Sequence, residues 1–214
     1  MGPRLRLLGN RMIKRWTALA LAALATLLLS GCGYNEIQRL DEQVKAEWSQ
    51  VLNQYERRAD LVPKLVSSVN AYMVNERTLL KEVTGARARV GEIRVTADDL
   101  DDPALMARFE QAQGALSAGL SRLLAVSENY PALKSDGLFR DLMTQLEGAE
   151  NRIAVARERY VRSVQAYNQT IREFPTLLTA KVLGYGLKPQ YGLDKADEVM
   201  RNPDVTFDVP ATAK

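Results

Sequence analysis

The 214-residue chain carries 29 basic and 26 acidic residues, no histidine and one cysteine. Without histidine, Ser-His-Asp and Cys-His catalysis and histidine-ligated metal sites are excluded, and a lone cysteine cannot close a disulfide within the chain. No glycine-rich phosphate loop and no zinc-ligand spacing occurs in the sequence, so no cofactor and no metal is expected.

The N-terminus reads as an export signal over residues 1–31. Arg4, Arg6, Arg11, Lys14 and Arg15 form a positive segment without an acid, and the apolar run from Trp16 to Leu29 follows it. That run is about 14 residues, short for a spanning helix, which needs about 20. The positive flank stays cytoplasmic and sends the rest of the chain outward. Met12 offers a second start that leaves a more compact signal. The junction Leu29-Ser30-Gly31-Cys32 resembles the lipobox of bacterial lipoproteins. That resemblance implies cleavage before Cys32 and acylation of Cys32, with residues 32–34 as the lipidated start and membrane lipid as a partner. Residue 33 is glycine, not aspartate; by Gram-negative sorting rules this permits the outer membrane. The bundle is expected in the cell envelope, outside the cytoplasm.

Removing the signal alters the charge. Its five basic residues leave 24 basic against 26 acidic, a net of −2 where the full chain has +3. The electrostatic footprint of a nucleic-acid binder is lost with it, so no nucleic-acid partner is expected.

From Asn35 the spacing predicts helices. Ile37, Leu40, Val44, Trp48, Val51 and Tyr55 step by three and four residues, predicting a first helix to about Ala59. Asp60-Leu61-Val62-Pro63 is expected to turn the chain, with a kink in one continuous helix as the competing reading. A second helix is expected from about Pro63 to Arg94, on Leu65, Val66, Val69, Met73, Leu80, Val83 and Val90. Thr96 to Pro103 breaks the pattern, and Asp102-Pro103 reads as an N-cap followed by proline at the first helical position. A third helix is expected to about Asn129, with Gly114, Ala115, Ala118 and Gly119 keeping it thin for close neighbours. Tyr130-Pro131 ends it, and Ser135-Asp136-Gly137 starts a fourth, from Leu138 to Phe174. Its stripe alternates steps of four and three, the pattern of left-handed supercoiling. The fold class is therefore all-α: an up-down-up-down bundle of four long antiparallel helices over 35–175. Residues 176–214, rich in glycine and proline, are expected to form an extended, partly disordered tail from about Lys188, with Val205-Thr206-Phe207 as a segment able to dock.

The residues that distinguish the bundle are Tyr34-Asn35, Trp48, Arg57-Arg58-Ala59-Asp60-Leu61-Val62-Pro63-Lys64-Leu65-Val66, and Glu76 with Val83-Thr84-Gly85-Ala86-Arg87. To these add Ser127-Glu128-Asn129-Tyr130-Pro131, Glu147-Gly148-Ala149-Glu150-Asn151-Arg152-Ile153-Ala154-Val155-Ala156-Arg157, then Tyr160, Tyr167-Asn168 and Ile171-Arg172-Glu173-Phe174-Pro175. Together they resemble the LemA family, from Tyr34 to about Pro175. The resemblance implies a membrane-attached four-helix bundle and brings no catalytic residues, so an enzyme is not expected. It departs in one respect: many relatives keep a hydrophobic anchor helix, whereas this chain has a lipobox.

If Cys32 sits at the membrane and consecutive helices alternate, Arg57, Arg58, Asp60, Tyr130 and Pro131 are expected to gather at the far tip. That tip is the candidate surface for an envelope protein partner, in a structural or adaptor role. The bland reading of the same residues is an Asp60 cap with locally paired arginines. Glu147, Glu150, Arg152 and Arg157 read either as a polar groove or as interhelical ion pairs that set register, the latter preferred. Trp48, Tyr55, Tyr160 and Tyr167 read as core aromatics. The competing function class is a subunit or regulator of an envelope enzyme working with carboxylates.

Overall fold

The computed structural model describes residues 4–191, with side chains described from Gly33 onward and at Trp16, Thr17 and Leu19. The side chains of Cys32 and of most of the leader, and the segment Val205-Thr206-Phe207, lie outside the described residues. Among the described residues six α-helices follow one another: α1 Arg4–Asn70, α2 Arg77–Glu92, α3 Pro103–Ser127, α4 Pro131–Ser135, α5 Gly137–Thr170 and α6 Thr176–Leu183. Short 3-10 turns at Val74–Glu76 and Ala97–Asp101 join α1 to α2 and α2 to α3. The fold is all-α, with no strand among the described residues. Nor is any helix among those residues long and apolar enough to cross a membrane.

The expected turn at Asp60–Pro63 does not form. Helix α1 runs through Pro63 and ends at Asn70. Leu61, Val62, Leu65 and Val69 are all buried, while Pro63 faces outward. A turn at 60–63 would cost that continuous burial, and fully burying each large aliphatic side chain contributes roughly 1.5–3 kcal/mol. Together these exceed the roughly 3 kcal/mol that an interior proline costs a helix. The chain reverses instead after Asn70, where Tyr72 and Met73 donate their backbone N–H groups back to the Val69 carbonyl at 3.0 and 2.9 Å. Met73 is fully buried and plugs that end of the core. The second helix is correspondingly short, at 16 residues.

The later boundaries follow local chemistry. Asp102 Oδ1 accepts from the backbone N–H groups of Ala104 and Leu105 at 2.9 and 3.0 Å, with Pro103 next in line. Asp136 Oδ1 accepts from the N–H of Phe139 at 2.9 Å and opens α5. These side-chain acceptors satisfy helix-start donors that have no intrahelical partner.

Interhelical pairs give the direction of packing. Trp48 meets Tyr160, Arg58 meets Glu150 and Tyr72 meets Asp136, so as the α1 number rises the α5 number falls one for one. Helices α1 and α5 are therefore antiparallel along most of their length. Glu76 with Tyr130, Glu82 with Arg122 and Val83 with Gly119 pair α2 and its approach antiparallel to α3 in the same way. A Cβ at Gly119 would sit 3.3 Å from Val83 Cγ2, so glycine permits that approach; Gly114, also expected to face a neighbour, faces open space.

The core divides into two clusters. One, toward the 70–76 turn, is built on Leu61, Leu65, Val69, Leu80, Val83, Leu116, Leu120, Leu133, Phe139 and Leu142. The other, toward residue 33, is built on Ile37, Val44, Trp48, Val51, Met106, Phe109, Tyr160, Val164 and Tyr167. Of the aromatics expected in the core, Trp48, Tyr160 and Tyr167 are buried and Tyr55 packs against the cluster partly buried. Burial pushes the Tyr167 phenol up to about 12 and raises that of Tyr160 as well.

Candidate functional site

Between the two core clusters lies a charged residue. Val51, Tyr55, Arg58, Val62, Leu65 and Val69 step by four and three along α1, which turns Arg58 inward, to 1% exposure. Its Nη1 donates to Ser117 Oγ at 2.7 Å and to Glu150 Oε1 at 2.8 Å. Its Nη2 donates to Gln113 Oε1 at 2.5 Å, and the guanidinium carbon lies 5.2 Å from the centre of the Tyr55 ring. One residue from α1 thereby ties α3 and α5. A guanidinium whose donors are spread over three side chains on two other helices holds geometry.

Beside this layer a groove of about 540 Å³ opens between α1, α2 and α3. Glu56 and Asp60, one helical turn apart on α1, line one wall, and Arg87 and Arg94 line the other. Tyr55, Val90, Ile93 and Phe109 supply apolar lining. Gln113 also lines it, and its Nε2 has no hydrogen-bond acceptor among the described residues. The groove exists because α2 stops at Glu92 while α1 and α3 continue past that level. The slot is thus acidic on one side and basic on the other, with an apolar lining between.

At the end nearest residue 33 a polar cavity of about 390 Å³ is lined by Asp41, Lys45, Asp98, Asp101, Tyr167 and Lys188, among others. Lys188 Nζ lies 2.8 Å from Asp41, and Lys45 Nζ lies 3.5 and 3.4 Å from Asp41 and Asp98. The pairing with Asp41 is what chiefly raises Lys45 above the usual lysine value. Asn168 clamps the backbone of Lys188 from both sides at 2.8 Å, Nδ2 donating to its carbonyl and Oδ1 accepting from its N–H. The Tyr160 hydroxyl donates to the Pro189 carbonyl at 3.4 Å and that of Tyr191 to the Leu100 carbonyl at 2.5 Å. Residues 184–191 thus lie strapped against the bundle, and they include the start, at about Lys188, of the tail expected to be extended and partly disordered. These are structural ties.

The far end is made by residues 70–76 and 128–137. There Tyr72 donates to Asp136 Oδ2 at 3.0 Å and Tyr130 to Glu76 Oε1 at 3.3 Å. Of the five residues expected to gather there, Tyr130 and Pro131 are present. Arg57, Arg58 and Asp60 are not: continuation of α1 beyond Pro63 leaves them three turns or so below. Asp60 lies inside α1 and caps nothing; it lines the lateral groove. Of the fourth-helix polar set, Glu150 joins the Arg58 layer, and Arg152 folds back to within 3.3 Å of where a Gly148 Cβ would be.

A long antiparallel helix pair flanked by a helical hairpin, tied by a buried arginine and strapped by its own C-terminal segment, defines a helical-bundle protein with a side groove. The sequence profile of the LemA family matches residues 47–207, three quarters of the chain, and the chain belongs to that family. The match reaches beyond Pro175, so the family likeness includes the strap as well as the bundle. Among curated proteins the chain is similar to the magnetosome proteins MamQ 1 and MamQ 2 of Paramagnetospirillum magneticum strain AMB-1. Each is 26% identical over 180 residues, covering 77% of this chain and 65% of the relative. The magnetosome protein MamQ of Magnetospirillum gryphiswaldense strain MSR-1 is 35% identical over 74 residues, covering 35% of this chain and 27% of the relative. This chain thus spans just under two thirds of the length of the first two relatives.

Proposed function

We propose that this chain is an envelope lipoprotein, held to the membrane through acylated Cys32, whose bundle acts as an adaptor that binds an envelope protein partner in the groove between α1, α2 and α3. The observation that carries the reading is the continuity of α1 across residue 32: the bundle starts at Gly33, itself buried, directly after the lipobox cysteine. An anchor at that point has no linker, so the bundle stands on the membrane and the groove faces sideways at a fixed height. The proposed partner is a protein segment, since a mature net charge of −2 gives no pull on nucleic acid.

The carboxylates whose values are displaced move away from acid catalysis. Glu36, Asp99 and Asp136 are shifted downward by the groups they accept from: Arg39, the Thr96 hydroxyl and the Phe139 N–H, respectively. A general acid at neutral pH needs the opposite shift. The relatives are magnetosome proteins, and the proposal for this chain, which spans just under two thirds of their length, is confined to an anchored binding module.

Two measurements test the reading separately. Wild-type cells fed a labelled fatty acid should yield an acylated chain that begins at Cys32, and Cys32→Ser should abolish both labelling and cleavage. In-cell cross-linking should recover a partner with the wild type and lose it with the double variant Arg87→Glu, Arg94→Glu. Undiminished capture by a folded double variant would sink the groove; an unlabelled wild type would sink the lipid anchor.

A further inference from the structure

Helix α6 is seated against the residue that follows Cys32. A Cβ at Gly33 would lie 3.2 Å from Thr179 Oγ1 and 3.3 Å from the Thr176 Cα, so α6 crosses α1 at close range there. Its inner side is buried at Ala180, with Thr176, Leu177 and Thr179 partly covered. Its outer side is apolar and bare. Leu178 and Val182, one turn apart, are 57% and 84% exposed, and Leu183 beside them is 52% exposed. Phe174 before the helix and Leu187 after it are 77% and 61% exposed. Solvent-facing helix positions on a protein that stays in water carry polar residues.

The helix is fixed in place. Gly184, at φ +77, closes it in the left-handed conformation, and the Tyr185 N–H returns to the Ala180 carbonyl at 2.9 Å. The Tyr185 hydroxyl then accepts from Gln38 of α1, and Asn168 holds Lys188. The exposed charges of the segment lean basic in a mildly acidic molecule: Arg172 and Lys181 stand against Glu173 alone, Lys188 being paired with Asp41. Exposed apolar side chains flanked by bases, with a half-exposed Tyr34 alongside, match the composition of helices that lie in a bilayer surface.

We propose that α6 is an interfacial helix: Leu178 and Val182, with Leu183, Phe174 and Leu187, enter the headgroup zone of the bilayer that holds Cys32. The occupant is lipid because the bare stripe lies at the anchored end of the bundle, one residue's contact away from Cys32. The inference rests on the anchoring reading above. With it, the protein touches the membrane at two points, a lipidated residue and a helix. The anchor alone sets the height of the bundle above the membrane; the second point fixes its rotation about that anchor and so the direction in which the lateral groove faces.

The test uses the full chain, processed and acylated, in vesicles of phosphatidylethanolamine and phosphatidylglycerol. Acylation blocks the Cys32 sulfur, so Val182→Cys supplies one thiol for an environment-sensitive fluorophore, and Val74→Cys does the same at the far end. Flotation reads the anchor; quenching reads α6. The expected result is a blue-shifted Val182→Cys label, quenched several-fold more by a shallow lipid-borne nitroxide than the Val74→Cys label and shielded from iodide. Vesicle-bound chain whose Val182→Cys label is open to iodide and indifferent to the nitroxide overturns the inference while leaving the anchor intact. Chain that neither floats nor carries acyl groups removes the anchor and this inference with it. Adding Leu178→Asp to a Leu187→Cys probe touches only exposed positions and should return that label to the aqueous signal; persistent lipid quenching in that variant also counts against α6.

Discussion

Arg58 sits where a hydrocarbon side chain would be expected, on the inward stripe of α1 between Tyr55 and Val62. Its energetic weight comes from what its loss leaves behind. Truncation to alanine removes four hydrogen bonds, the fourth from Nη2 to the Gln113 carbonyl at 3.4 Å, and strands Gln113, whose residue is 4% exposed, together with Ser117. A buried polar group left without its partner costs about 1–3 kcal/mol, so with Gln113 and Ser117 both stranded Arg58→Ala should lose a few kcal/mol in chemical denaturation. Glu150→Gln keeps an acceptor for Arg58 but withdraws the charge that compensates a buried guanidinium, so it should destabilise as well, eased by the water that reaches the half-open Glu150 position. Asp136 shows a different dependence. Its carboxylate accepts from Phe139 N–H and from Tyr72, and these bonds hold it below the usual carboxylate value of about 3.9. A group depressed in the folded state adds stability that is complete above its unfolded value and lost as pH falls toward its folded one. Thermal unfolding should therefore show the wild type and Asp136→Asn converging as pH is lowered from 7 through 4 to 3. A difference that persists unchanged at pH 3 would show that the carboxylate charge is irrelevant to the cap.

Helix boundaries divide into those written locally and those that are not. The starts of α3 and α5 are marked by Asp102-Pro103 and Asp136, whose side chains cap the backbone within three residues, so they were readable without any knowledge of tertiary contacts. The end of α1 has no such mark. Residues 70–76 contain no glycine and no proline, while Pro63, the strongest breaker in the region, lies inside the helix. What overrides it is the burial of Leu61, Val62, Leu65 and Val69 in one register, a property of the packed bundle. Arg58 was hidden for a related reason. Arginine as a type belongs on surfaces, yet Arg58 falls on the four-three stripe of α1, and that spacing marks it as inward-facing. The side groove and the bare face of α6 depend on where α2 ends and where the strap returns, which spacing does not encode. Continuity through Pro63 has a measurable consequence. Proline there gives no N–H to the Ala59 carbonyl, a defect of roughly 3 kcal/mol in a helix interior, partly offset by about 0.4–1 kcal/mol from the stiffer unfolded chain. Pro63→Ala should raise stability by about 1–2 kcal/mol in urea unfolding. Were the chain to turn at this position, the substitution would be neutral or destabilising.

The bundle as assembled is two apolar cores separated by one polar layer, Arg58 from α1, Gln113 and Ser117 from α3 and Glu150 from α5. A layer of this kind opposes slippage. A shift of α1 by one turn along α5 would move a guanidinium into one of the hydrocarbon clusters, at a cost of several kcal/mol for the unpaired charge. It does not follow that the layer raises stability. Desolvation of buried ions is only partly recovered, and replacing such a layer by apolar groups of similar volume is neutral or stabilising by about 1–4 kcal/mol in known cases. The concerted variant Arg58→Met, Gln113→Leu, Glu150→Leu should therefore unfold at or above the wild-type midpoint, in contrast to the loss expected of Arg58→Ala alone. What it should lose is uniqueness of register. Amide exchange along α1 should lose the sharp boundary between slow and fast positions, and a spin-label distance from Val74→Cys to a labelled position on α5 should broaden from one population to several. A triple variant that is both more stable and single-valued in that distance would show that side-chain shape in the two cores sets the register by itself, and that the arginine layer serves another purpose. The adjoining groove, which shares Gln113 with the layer, would then be the first place to look, by asking whether the triple variant still captures a partner.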